Sequence, residues 1–142
     1  MRDDIELLKE CGAGVQMGID SINDVIDDAY GENLKNTLEK YTGEHEKLLG
    51  RIEAKLDEYG GDNKEPNPMA KFGSKMSTEM KMMMDNSDEK IADIMMDGCN
   101  MGIKSVSKYM NEYAGASPEV MGIANSVIVL EQNFMNDLRQ YL

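Results

Sequence analysis

The chain has 142 residues, 41% hydrophobic and 30% charged, with a formal net charge of −12. That length suits one domain with its own core, and so acidic a surface repels phosphate backbones and anionic membrane, which disfavours nucleic-acid and lipid binding. No apolar run approaches the ~20 residues that span a bilayer, and the opening Met1-Arg2-Asp3-Asp4 starts no signal-peptide hydrophobic region, so a cytoplasmic protein is expected.

The first predicted helix covers 3–30. Its apolar positions Ile5, Leu8, Gly12, Val15, Ile19, Ile22, Ile26 and Ala29 step by threes and fours, a heptad-like stripe facing one core. Gly31 separates it from a second helix over 32–59, striped by Leu34, Leu38, Tyr41, His45, Leu48, Ile52 and Leu56. Gly60-Gly61 ends that helix. In the long connection, Asn67-Pro68 is a helix start, and Met69, Phe72, Met76, Met80 and Met83 recur at helical spacing. They predict an extra amphipathic crossover helix over 68–85, docked on the bundle.

Asn86 followed by Glu89 is a capping pair for a third long helix, 87–114. Its stripe is Ala92, Met96, Cys99, Ile103, Val106, Met110 and Tyr113. Ser117-Pro118-Glu119 opens the fourth helix, 118–141, with a cap, a proline at the first position and an acid near the positive dipole end. Val120, Ala124, Val127, Glu131, Phe134, Leu138 and Leu142 form its inward stripe.

The chain repeats itself. Gly14-Val15-Gln16-Met17-Gly18-Ile19-Asp20-Ser21-Ile22 returns as Gly98-Cys99-Asn100-Met101-Gly102-Ile103-Lys104-Ser105-Val106, 84 residues on. The second and fourth stripes match at an offset of 86. Short connections make each helix pair an antiparallel hairpin. The expectation is therefore one all-α domain, 1–142: a four-helix bundle of two hairpins related by a pseudo-twofold axis, joined by a long crossover.

This arrangement, with the motif Met-Gly-Ile-Asp-Ser-Ile and its echo Met-Gly-Ile-Lys-Ser-Val, resembles the ferritin-like four-helix bundle, and in particular a group of uncharacterised bacterial ferritin-like proteins. The resemblance spans essentially the whole chain. It implies a carboxylate di-iron site, built from one Glu on each of two helices and a Glu-x-x-His on each of the others.

The ligands for such a site are missing. The chain has one histidine. Three residues after Glu131 stands Phe134, three after His45 stands Leu48, and Asp20 and Lys104 occupy matched positions on the first and third helices. A lysine opposes a cation rather than ligating it. The reading is no di-iron centre and no cofactor. The alternative is a degenerate mononuclear site of Glu44, His45 and Glu131, in a metal-binding redox or iron-handling protein. As pseudo-symmetric counterparts on core positions, His45 and Glu131 are expected to meet as a buried structural pair.

Glycines in helix interiors cost roughly 1 kcal/mol each against alanine. Gly14, Met17, Gly18 and Ser21, with their repeats Gly98, Met101, Gly102 and Ser105, are placed on the outer or flanking side of their helices. They form a shallow groove that the crossover helix or the packing of the two hairpins is expected to fill, and are otherwise candidate contacts for a second copy or a helical protein partner. Of the fourteen methionines, most are expected to fill core gaps. Cys99 reads as buried and Cys11 as flanking, with no CxxC and no base to activate either thiol. The function expected is a non-catalytic interaction or structural protein.

Overall fold

A computed structural model describes residues 2–60 and 87–142. The expected helix over 68–85 lies outside the described residues. The rest is helical: α1 (Arg2–Val25), α2 (Glu32–Glu58), α3 (Asp88–Glu112) and α4 (Pro118–Leu138), with short 3-10 turns at Ile26–Asp28 and Arg139–Tyr141. There is no strand among the described residues, and no helix there is long and apolar enough to cross a membrane.

The ends follow local chemistry. Ser117 caps α4 by accepting the Val120 N–H at 3.3 Å, with Pro118 at the first helical position. Ser87 caps α3, accepting from Lys90 N–H at 3.1 Å, while the expected capping residue Asn86 lies outside the described residues. Gly60 follows α2 at φ +75°, a left-handed conformation that side chains disfavour. Two helices stop short of expectation: α1 gives way to a 3-10 turn after Val25, and α4 after Leu138. The second change carries Leu142 off the inward stripe, where it is 57% exposed.

α1 pairs with α2 and α3 with α4, and α1 also packs on α3 and α2 on α4. The two hairpins are tied at both ends by matching bonds. Asp4 Oδ1 accepts the N–H of Ser117, the residue capping α4, at 2.7 Å. Its repeat Asp88 accepts the N–H of Gly31, the residue capping α2, at 2.9 Å, and that of Tyr30 at 2.7 Å. Offsets of 84 and 86 relate these pairs, the same spacings that relate the sequence stripes. A Cβ on Gly31 would fall 2.9 Å from Asp88 Oδ2, so the approach needs glycine.

The core is two apolar clusters along the bundle. One holds Leu7, Val15, Ile19, Ile52 and Val120; the other holds Ile22, Leu38, Ile91, Phe134 and Leu138. Each fully buried side chain of this size contributes roughly 1.5–3 kcal/mol. On α1 the buried arc is wider than the predicted stripe. Asp4, Cys11 and Val25 are buried beside Leu8, Val15 and Ile22, and Gly18 completes their seven-residue column. Cys11 is therefore a core residue, 1% exposed, and not a flanking one.

Candidate functional site

Between the two apolar clusters lies the polar break in the core. His45 projects from the middle of α2 and Glu131 from the middle of α4, 0% and 7% exposed. His45 Nε2 and Glu131 Oε1 are 2.7 Å apart, and His45 Nδ1 donates to the Tyr41 carbonyl at 2.6 Å. A carbonyl only accepts, so Nδ1 carries a proton. A second proton must lie between Nε2 and Oε1, because two lone pairs at that distance repel. The pair is therefore net neutral, as imidazolium with carboxylate or imidazole with carboxylic acid.

Burial, the largest single influence, pushes the His45 pKa down. The hydrogen bond and charge of Glu131, with the Tyr41 carbonyl and the Glu44 charge, outweigh it and hold the imidazole above the usual histidine value. The Phe134 ring meets His45 edge-on at 6.1 Å and stacks on Tyr41 at 4.5 Å. One turn along, the Tyr41 hydroxyl donates to Asp137. Cys99 approaches Glu131 from α3; burial first, then the Glu131 charge and hydrogen bond, pushes its thiol far up. Burial and the Glu10 charge push Cys11 up to about 12. Neither thiol is poised as a nucleophile.

Two of the four repeat glycines, Gly18 and Gly102, border this site from the flanks of their helices. A Cβ on Gly18 would lie 2.8 Å from both Cδ2 and Nε2 of His45. A Cβ on Gly102 would meet Glu131 Cγ at 3.7 Å. The reason is the wider buried arc: position 18 shares a column with Asp4, Cys11 and Val25, and position 102 shares one with Asp88 and Met95. Gly14, Met17, Ser21, Gly98, Met101 and Ser105 are half-buried, and open space faces Gly98.

As a metal site the set does not fit. Both His45 nitrogens are committed, and Glu44 is solvent-exposed and paired loosely with Lys47 at 3.9 Å, so it does not join His45 and Glu131. Among the described residues no three His, Cys, Asp or Glu side chains converge as a metal-holding group.

The described residues thus define an all-helical protein in which four long helices bury a His–Glu pair at mid-core. No protein-family model and no curated protein matches the chain. Its fold is similar to the crystal structure of a DUF305 fragment from Deinococcus radiodurans, with a TM-score of 0.76 at 10% identity, covering 99% of this chain and 95% of that one. At that identity the likeness concerns the fold alone.

Proposed function

We propose that the chain is a ferritin-like two-hairpin bundle without a di-iron centre, acting as a non-catalytic interaction or structural protein. The observation that carries this reading is the commitment of its one imidazole. His45 spends Nδ1 on the Tyr41 carbonyl and Nε2 on Glu131, and Gly18 presses on the ring from α1. A ligand needs a free lone pair, and a general base needs a substrate within reach. This imidazole has neither. The pair instead joins the hairpins across α2 and α4 and sets their register.

The test is metal analysis of the purified protein, with ultraviolet–visible spectra after aerobic iron(II) addition. The expected result is substoichiometric iron and no carboxylate-bridged absorption. Binding of about two irons per chain, the loading of a di-iron bundle, would support the redox or iron-handling alternative.

A further inference from the structure

The internal repeat makes α2 a control for α4. The buried positions of the two helices correspond at an offset of 86: Leu34 with Val120, Leu38 with Ala124, His45 with Glu131, Ile52 with Leu138. Their outward positions correspond too. On α2 the outward face carries Glu39, Lys40, Glu46 and Lys47 on either side of an uncharged column of Asn36, Gly43 and Gly50. On α4 the places of those four charges hold Asn125, Ser126, Gln132 and Asn133. From Val120 to Asn136 the single ionisable residue is Glu131, which is turned inward. The fold does not require a neutral face here, since α2 is charged at the equivalent sites. In a chain of net charge −12, a helix face stripped of charge calls for its own explanation.

We propose that the outer face of α4 is a self-association surface, and that its occupant is α4 of a second copy of this chain, packed antiparallel about a twofold axis near Val129. Charge selects this occupant. Copies bearing −12 repel one another, and the α4 face is where they can meet without opposing like charges. A basic partner would find no counter-charge on it. The polar groups that remain are mainly carboxamides, which both donate and accept and so pair with their own copies.

The geometry agrees. Gly122, Val129 and Asn136 form one exposed seven-residue column. Val129 is 44% exposed at its middle, and nothing lies within 4 Å of a Cβ built on Gly122, which leaves room for close helix approach. With the axis at Val129, position 125 faces position 133 of the other copy, and 126 faces 132. An isologous contact of this kind is self-complementary. The inference deepens the reading of an interaction protein by naming its partner, and its readout is mass, which is independent of iron binding.

The test is sedimentation equilibrium of the full chain. Wild type should run at twice the chain mass. Asn125→Glu with Asn133→Glu sets carboxylate against carboxylate on both sides of the axis, and should weaken association by about 100-fold or more with circular dichroism unchanged. Asn125→Lys with Asn133→Lys should do the same. Mixing the two variants should restore the dimer. Fold damage is not expected, because Glu39 and Lys47 stand at the equivalent α2 sites. As a second measurement, Val129→Cys should form a disulfide-linked dimer under mild oxidation, whereas Gly43→Cys, its α2 counterpart, should not. The native cysteines are buried and do not interfere. A wild-type chain that stays monomeric to about 1 mM, well beyond the micromolar range of ordinary dimers, overturns the proposal. So does a dimer that survives the like-charge changes, or a failure to recover on mixing.

Discussion

Gly18 and His45 are in van der Waals contact across the α1–α2 interface, with no room for a methyl group between them: a Cβ at position 18 would stand 2.8 Å from the imidazole. The ring cannot yield, because it is held at both nitrogens. Gly18→Ala should therefore destabilise by roughly 1–3 kcal/mol, the usual cost of overpacking, despite alanine's better helix propensity. Its repeat partner behaves oppositely. At Gly102 a Cβ makes ordinary contact with Glu131, so Gly102→Ala should stabilise by up to ~1 kcal/mol. Urea melts of both variants decide this, and equal signs would show that the repeat glycines are equivalent.

His45→Leu should cost roughly 3–5 kcal/mol, since it leaves Glu131 buried without its partner. Combining it with Glu131→Leu should recover most of the loss, because two apolar side chains join the flanking clusters. A double-mutant cycle in denaturant measures the coupling. Additive losses would mean that the two side chains stabilise the bundle independently.

The same pair sets a pH dependence. The folded imidazole titrates above its unfolded value. Its contribution is therefore fully present below the unfolded histidine pKa of about 6.5, and is lost as pH rises through the folded pKa. The urea midpoint should fall on the alkaline side of neutrality in wild type. The His45→Leu, Glu131→Leu double variant should lack that component of the slope.

Asp4 points to the opposite end of the scale. The Ser117 backbone N–H holds its carboxyl below the usual range, outweighing the opposing effect of burial. Its stabilisation is present above the unfolded carboxylate value and lost as pH falls through the folded one. Asp4→Ala should cost about 1.5–3 kcal/mol, the range for a hydrogen bond to a charged group, and should flatten the acid limb of the stability curve. Asp88→Ala removes the pseudo-symmetric tie to Tyr30 and Gly31, and should cost a similar amount.

Glu10 is a built-in liability. One of its oxygens is buried without a hydrogen-bond partner among the described residues. Burial raises its pKa, with the charges of Glu6 and Glu112 adding and the Tyr109 hydrogen bond opposing. Glu10→Gln should stabilise by less than ~1 kcal/mol at neutral pH, as for partly exposed charges. The gain should vanish in mild acid, where the wild-type carboxyl is protonated. Thermal melts at two pH values are sufficient.

The four long helices, their order and the inward stripes of α2 and, as far as Leu138, of α4 are legible in the sequence alone, whereas Met96, Ile103, Met110 and Tyr113 of the expected α3 stripe are only half-buried. Side-chain apolarity recurs at the helical period, and Ser117-Pro118 and Gly60 punctuate it. The meeting of His45 with Glu131 is equally legible, because the 86-residue offset makes them counterparts on core positions. The tertiary structure decided the rest. Gly18 carries no apolar signal, so periodicity could not place it in the column that also buries Asp4 and Cys11. The burial of Asp4 depends on the Ser117 N–H, supplied from 113 residues away, and no local pattern encodes a partner so distant. The neutral face of α4 is written in plain sequence. Only the packed bundle shows that it points outward, because which arc of a helix is buried depends on the neighbours packed against it.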